Sequence, residues 1–378
     1  MSADRIPVNP AIAPIRRSFF DPPSPGGPRA TALAWLTRQI DTLLPGSFAL
    51  VMATGIISNA FYFESWRALS DILFAINLVS YCWLLAATIL RAVRVPHAIW
   101  ADLINPRHAF AFFTLVAATD VLGVGIMLRG LSGVATLMWL TALGLWFVLI
   151  YSSFGVLTFL NTAPKADIVH GGWLIAIVAT ESLVILGTLL AGSFGSAAPL
   201  IFVLTHMLWG VGLVFYGIYV TLFAQRIFFF DFEHDDITPL LWVVMGAAAI
   251  STNAGSALIM INSDLEFLHS MRGFIDGVTL IAWAWATWWI PLLVLLGIWK
   301  HGVHRAPIRD TPMLWALVFP LGMYALASLR LSLAADVPVL SVVSVMMVWI
   351  ALAAWAATAV GLAVSSWRSY RDFTRAAA

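Results

Sequence analysis

Ten transmembrane helices arranged as five hairpins, an all-α integral membrane protein, is the architecture expected of this chain on three grounds. First, 61% of its 378 residues are apolar and only 10% are charged, with a mean hydropathy of +0.92; soluble domains carry about a quarter charged residues. Second, apolar runs of about 20 residues recur along nearly its whole length, each able to cross roughly 30 Å of hydrocarbon at about 1.5 Å per residue. They are too long and too weakly alternating for barrel strands, and a helix satisfies its own backbone inside lipid. Third, in four of the five successive pairs of runs the first is the richer in Gly, Ala, Ser and Thr. Small residues let helices approach closely and leave room for a channel, so odd spans are expected to form an inner pore and even spans an outer ring.

The spans are placed at 45–63, 72–91, 109–128, 138–157, 172–191, 201–220, 242–261, 280–299, 314–333 and 345–364. Of the 20 Lys and Arg residues, 16 fall before the odd spans or after the tenth, leaving Arg67, Arg129, Arg272 and Arg330 on the other side. By the positive-inside rule both termini are cytoplasmic, as befits a multi-pass protein of a plasma membrane (bacterial inner membrane).

Residues 1–40 begin with seven prolines and four arginines within the first 30 positions and lack the apolar core of a cleavable signal peptide. They read as a disordered cytoplasmic tail, with a segment near residues 32–43 that suits the interface through Trp35 and Arg38. A ten-helix transport domain follows over residues 41–366, and residues 367–378 form a short basic cytoplasmic tail. On span 1, Phe48, Met52, Gly55 and Asn59 share one helical stripe that can line a pore. Cys82, on span 2, is the only cysteine, so an intramolecular disulfide or thiolate cluster is impossible.

Asp120 on span 3 and Glu181 on span 5 sit mid-span, where an ionised group is costly. Each either faces a wet cavity, where a carboxyl shielded from water suits proton carriage, or is a neutral acid hydrogen-bonded to a neighbouring helix. His206, on span 6, reads as a packing histidine. The loop at residues 231–236 resembles a metal site only in its acidic composition, and neither a metal nor a cofactor is expected. On span 7, Trp242, Gly246, Ala249 and Asn253 form a second stripe; its amide serves either an anion in the pore or a neighbouring helix. Arg272 and Asp276, four apart at the start of span 8, suit an intrahelical ion pair.

Span 9 contains Phe319-Pro320-Leu321-Gly322-Met323-Tyr324-Ala325-Leu326-Ala327, a proline and a glycine beside a bulky aromatic inside a membrane helix. The proline removes a helical hydrogen bond and the glycine leaves space, so a pore is expected to be narrowed here. Arg330 lies eleven residues beyond Phe319, on the same face, with Gly322 and Leu326 completing the stripe. Its guanidinium either binds an oxyanion at the outer end of the pore or reaches the headgroups or Asp336.

Together with Pro45-Gly46-Ser47-Phe48-Ala49-Leu50-Val51-Met52-Ala53-Thr54-Gly55-Ile56-Ile57-Ser58 on span 1, the span 9 segment resembles the tellurite-resistance/dicarboxylate transporter family. That family takes in bacterial tellurite-resistance permeases, fungal malate permeases and sulfite pumps, and plant slow anion channels. The resemblance covers roughly residues 40–366. It implies a homotrimer in which each protomer has its own pore within five inner helices. It also implies that Phe319, followed by Pro320 and Gly322, is the pore plug, and that the cargo is a small anion.

No enzyme motif is present: there is no GxSxG, Walker A, HExxH or Rossmann glycine pattern. A midspan acid conflicts with a passive anion path unless it is protonated. The expected function is therefore transport of C4-dicarboxylates such as malate or succinate, coupled to protons through Asp120 or Glu181. Arg330 and Asn253 are the expected anion-binding groups and Phe319 the gate. The alternatives are a passive gated channel for chloride or nitrate and an exporter of sulfite or tellurite. No nucleic-acid partner is expected; a non-transporting sensor or scaffold finds no receiver domain in the short tails.

Overall fold

A computed structural model describes residues 28–106, 108–160, 171–229, 236–261, 265–307 and 312–377. Within these residues the chain is helical throughout and contains no strand. In chain order the helices are α1 (Pro28–Asp41), α2 (Ala49–Phe63), α3 (Arg67–Arg94), α4 (Pro96–Leu103), α5 (Phe113–Met127), α6 (Ser132–Gly155) and α7 (Leu174–Leu190). There follow α8 (Ala198–Phe229), α9 (Trp242–Ile259), α10 (Glu266–Ser270), α11 (Arg272–Ile298), α12 (Trp315–Ala335) and α13 (Val339–Ala377).

Nine helical stretches among the described residues are long and apolar enough to cross a membrane. Ten separate spans were expected, and the difference lies in one stretch, Gly171–Arg226, which runs for 56 residues. It holds both α7 and α8, joined by the 3₁₀ segment Ala191–Ala197 in which Gly195 departs from helical geometry with φ 54°. Glycine tolerates that left-handed φ because it has no Cβ. The reversal there lets α8 pack back against α7.

Five helices share a design. Each of α2, α5, α7, α9 and α12 is preceded by a short 3₁₀ turn: Pro45–Phe48, Ala109–Phe112, Gly171–Trp173, Pro239–Leu241 and Pro312–Leu314. Three of these turns open on proline, whose fixed φ and missing N–H suit a first helical position. The same five helices enclose a centre, because α2 packs on α5, α5 on α7, α7 on α9, α9 on α12 and α12 on α2. In their most apolar stretches 72% of α2, 78% of α5, 94% of α9 and 89% of α12 are buried, and nearly every residue of α7 is too. By contrast, only 22% of α3, 33% of α6, 22% of α11 and 22% of α13 are buried. Each of these, and α8, packs against the central helix before it: α3 on α2, α6 on α5, α8 on α7, α11 on α9 and α13 on α12. A multi-pass membrane protein presents such apolar outer faces to hydrocarbon.

Close approach around the centre depends on particular glycines. A Cβ at Gly246 of α9 would come within 2.8 Å of the Pro320 ring on α12, and one at Gly322 would meet Ile56 of α2 at the same distance. The proline that weakens α12 is thus seated against a glycine of its neighbour.

At the end of the bundle where the five helices begin, α1 packs on α3 and α13. The Trp35 indole donates to Ser369 Oγ at 3.3 Å and meets the Tyr370 ring edge-on at 5.5 Å. Arg94 pairs with Asp41 at 2.9 Å. Residues 28–41, expected in part as interfacial, are therefore helical, and α13 continues as helix through the basic tail to Ala377. Of the tail expected as disordered over residues 1–40, residues 28–40 are helical and residues 1–27 lie outside the described residues, as does most of the acidic loop, residues 231–235.

Candidate functional site

The five central helices all contribute to one small cavity near the middle of the bundle. It is lined by Ile56 and Asn59 of α2, Asp120, Val121 and Val124 of α5, and Ser182 and Ile185 of α7; Ile250 and Asn253 of α9 and Met323 and Leu326 of α12 complete it. At about 20 Å³ it has room for roughly one water, since a water needs about 10–15 Å³ of such space. The walls are mainly apolar, and four polar side chains interrupt them.

Asp120 is fully buried. Ser182 Oγ donates to its Oδ2 at 2.8 Å, while Oδ1 has no partner among the described residues. A buried carboxyl oxygen left unpaired beside a cavity is costly unless something there completes it. Asn59 Nδ2 donates to the Val121 carbonyl at 3.0 Å, tying α2 to α5. Asn253 directs Nδ2 towards Met323 Sδ at 3.6 Å, a weak acceptor that a better one can displace.

Glu181 is also fully buried, but it does not line this cavity. Its Oε1 accepts from Ser251 Oγ at 3.1 Å and closely approaches Gly212 of α8, while Oε2 lacks a partner among the described residues. The two acids that look equivalent in sequence thus occupy different places, one in the centre and one between α7, α8 and α9. Neighbouring residues on a helix point about 100° apart, so Ser182 faces inward where Glu181 does not.

On α12, Met323 and Leu326 line the cavity; Phe319 lies four residues before Met323 and Arg330 four after Leu326, on the same helical face. Phe319 is 2% exposed and Arg330 7% exposed. The Arg330 guanidinium lies 5.3 Å from the centroid of the Phe63 ring, and its Nε is buried without a partner among the described residues. No ion pair joins it to Asp336 there.

The other candidate pore residues are spread out. Leu326 and Asn59 reach the cavity. Gly322 and Gly246 are at helix contacts, as is Gly55, where a Cβ would meet Asn77 of α3 and Val121 of α5. Phe48 lines a separate recess with Pro45, Arg91 and Leu115 and packs edge-on against Tyr81 at 6.1 Å. Met52 is buried. Pro320 sits against Gly246. Sequence reading did not single out Ser182, Met323, Ile185, Val124, Ile56 or Ile250. Of these, only Ser182 carried a signal, as a hydroxyl beside a midspan acid, and Met323 stands one position from the stripe drawn through Gly322.

The groups read as structural find ordinary partners. Arg272 Nε pairs with Asp276 Oδ1 at 3.0 Å. His206 Nδ1 is 2.6 Å from the Phe202 carbonyl of its own helix.

Relatives share much of this chain. An uncharacterized transporter of Methanocaldococcus jannaschii is 26% identical over 288 residues, covering 73% of this chain and 81% of its own. Uncharacterized membrane proteins of two Mycobacterium tuberculosis strains, H37Rv and CDC 1551 / Oshkosh, are each 39% identical over 142 residues, or 38% of this chain and 72% of theirs. Residues 42–363 match the SLAC1 family, described as voltage-dependent anion channel. The chain therefore belongs to the SLAC1 family of anion transporters and channels, the grouping to which its span 1 and span 9 motifs pointed.

Proposed function

We propose that this protein carries C4-dicarboxylates such as malate or succinate, together with protons, along the axis enclosed by α2, α5, α7, α9 and α12. The observation that carries this reading is Asp120, buried with one oxygen unpartnered in the wall of a cavity that all five helices line. Ionised, it would repel an anion at close range; carrying a proton, it offers the cargo a hydrogen-bond donor and cancels charge during passage. Arg330 holds the anion near the outer mouth, where its fork suits a carboxylate. Asn253 Nδ2 exchanges its weak thioether contact for a carboxylate oxygen. Phe319, one turn from Met323 towards the start of α12, closes the path, and the small cavity corresponds to this closed state. Ten crossings follow when α7 and α8 are counted apart as a hairpin. The family resemblance supports a homotrimer with one path per protomer, and the placement of 16 of the 20 basic residues supports cytoplasmic termini in the plasma membrane.

Uptake of labelled succinate by proteoliposomes tests the reading. An inward proton gradient is expected to accelerate uptake several-fold in the wild type and to have no effect in Asp120→Asn. Uptake indifferent to the gradient in both would sink the coupling.

A passive gated anion channel is the second reading, favoured by the family's description and by the mainly apolar cavity wall. Under that reading Phe319→Ala produces a large ohmic chloride or nitrate current in planar bilayers. A slow carrier flux without current excludes it.

A further inference from the structure

Three arginines, Arg67, Arg129 and Arg330, converge on two consecutive rings at the end of α2. The Arg67 guanidinium lies 3.4 Å from the Tyr62 ring centroid, and that of Arg129 lies 5.6 Å from the same ring and 3.8 Å from Phe74. Arg330 approaches Phe63 at 5.3 Å, and the Tyr62 and Phe63 centroids are 6.0 Å apart. The Tyr62 hydroxyl donates to the Leu128 carbonyl at 2.5 Å, which fixes the ring between two of the cations.

The three cations are not equivalent. Arg129 is fully engaged: it pairs with Asp71 at 2.6 Å and donates to Ser70 Oγ at 3.1 Å and to the Gly125 carbonyl at 3.0 Å. Arg67 and Arg330 have no carboxylate partner among the described residues. Asp71 serves Arg129, and Glu64, whose Oε1 accepts from Ser344 at 2.6 Å, makes no ion pair with Arg67 or Arg330 among the described residues. Stacking on an aromatic face orients a guanidinium and leaves its edge N–H groups free to bind an anion. Arg67 is exposed while Arg330 is 7% exposed, so the two uncompensated charges stand at different depths. From Arg330 the face of α12 continues through Leu326 and Met323 to the central cavity.

We infer that this cluster is a capture site for small dianions, with Arg67 as the outer contact, Arg330 as the inner one and Arg129 as the brace that positions Tyr62. Two unpaired guanidiniums favour a dianion over a monoanion and raise its local concentration at the mouth. The inference rests on the reading of the five-helix centre as an anion path, but binding at the cluster is measurable without transport.

The test is calorimetric titration of the full-length protein, in nanodiscs of neutral phospholipid, with sodium sulfate and with sodium succinate. Both dianions are expected to bind the wild type. Arg67→Gln, at an exposed position that does not threaten folding, weakens both by roughly fivefold. Arg67→Lys retains part of the affinity, and Arg272→Gln, which breaks an unrelated surface pair, leaves it intact. Equal affinity in the wild type and Arg67→Gln overturns the site, as does the absence of saturable dianion binding. Proteoliposome uptake separates the two readings. Proton-driven succinate uptake with the same KM in Arg67→Gln defeats the capture site and leaves transport standing. Binding lost in Arg67→Gln, in a protein that moves no succinate, supports the site and defeats the transport reading.

Discussion

At the scale of single residues, Asp120 and Glu181 show how little separates an acid that lines the central cavity from one set between helices. Both are fully buried acids on central helices with one unpaired oxygen, yet only Asp120 reaches the shared cavity. Asp120→Asn keeps the shape and the bond from Ser182, so it is expected to fold and to lose the response to a proton gradient. Glu181→Gln is expected to leave that response within about twofold of wild type, since its carboxyl faces Ser251 and Gly212. Uptake assays of both variants at two pH gradients check the pair; the reverse pattern would move the proton site to Glu181. Midspan acids are legible in sequence because a charge in hydrocarbon is conspicuous. Which way each points is not, because adjacent residues differ by about 100° and the span limits are loose by more than that.

Glycine–neighbour contacts decide the geometry at the scale of the helix. Gly246 was legible as a small residue on the α9 stripe and Gly322 as one beside a proline, and both fit either a channel or a tight contact. The structure places them at contacts, against Pro320 and Ile56, and Met323 instead of Gly322 meets the cavity. Both Gly322 and Met323 satisfy helical spacing from Phe319, and only the packing of α12 against α2 distinguishes them. Gly246→Leu forces extra volume between α9 and α12 and is expected to destabilise by about 1–3 kcal/mol. A fall of several degrees in the thermal unfolding midpoint in detergent is the measurement, and an unchanged midpoint would show that the contact yields. The 3₁₀ turns that open all five central helices were not expected, and a local signal for them exists only where proline opens them, at Pro45, Pro239 and Pro312. The Ala109–Phe112 and Gly171–Trp173 turns carry no such local signal.

For the whole molecule, hydropathy and small-residue content gave the all-helical membrane architecture, because both reflect the solvent on each side of a helix. They did not anticipate that α7 and α8 would join without a charged break: the link Ala191–Ala197 is made of small residues, two serines among them, and Phe194. Of the arginines at Tyr62 and Phe63, Arg67 and Arg129 were counted in sequence only for topology, and Arg330 was expected as an anion-binding group of its own stripe. Their convergence joins α2, α3, α5 and α12, and no local pattern encodes it. A capture site at this arginine cluster would make uptake salt-sensitive: raising ionic strength from about 0.01 to 0.15 M shortens the Debye length from roughly 30 to 8 Å. The expected result is a higher KM for succinate with little change in maximal rate. A KM independent of salt would argue against electrostatic capture.

Proton movement itself is the most direct measure of coupled transport through Asp120. Proteoliposomes loaded with a pH-sensitive dye and held at zero voltage receive external succinate with no imposed gradient. The lumen is expected to acidify as succinate enters through the wild type and not to do so with Asp120→Asn. Succinate that accumulates in wild-type vesicles without acidification, or with acidification unchanged by Asp120→Asn, would contradict that coupling.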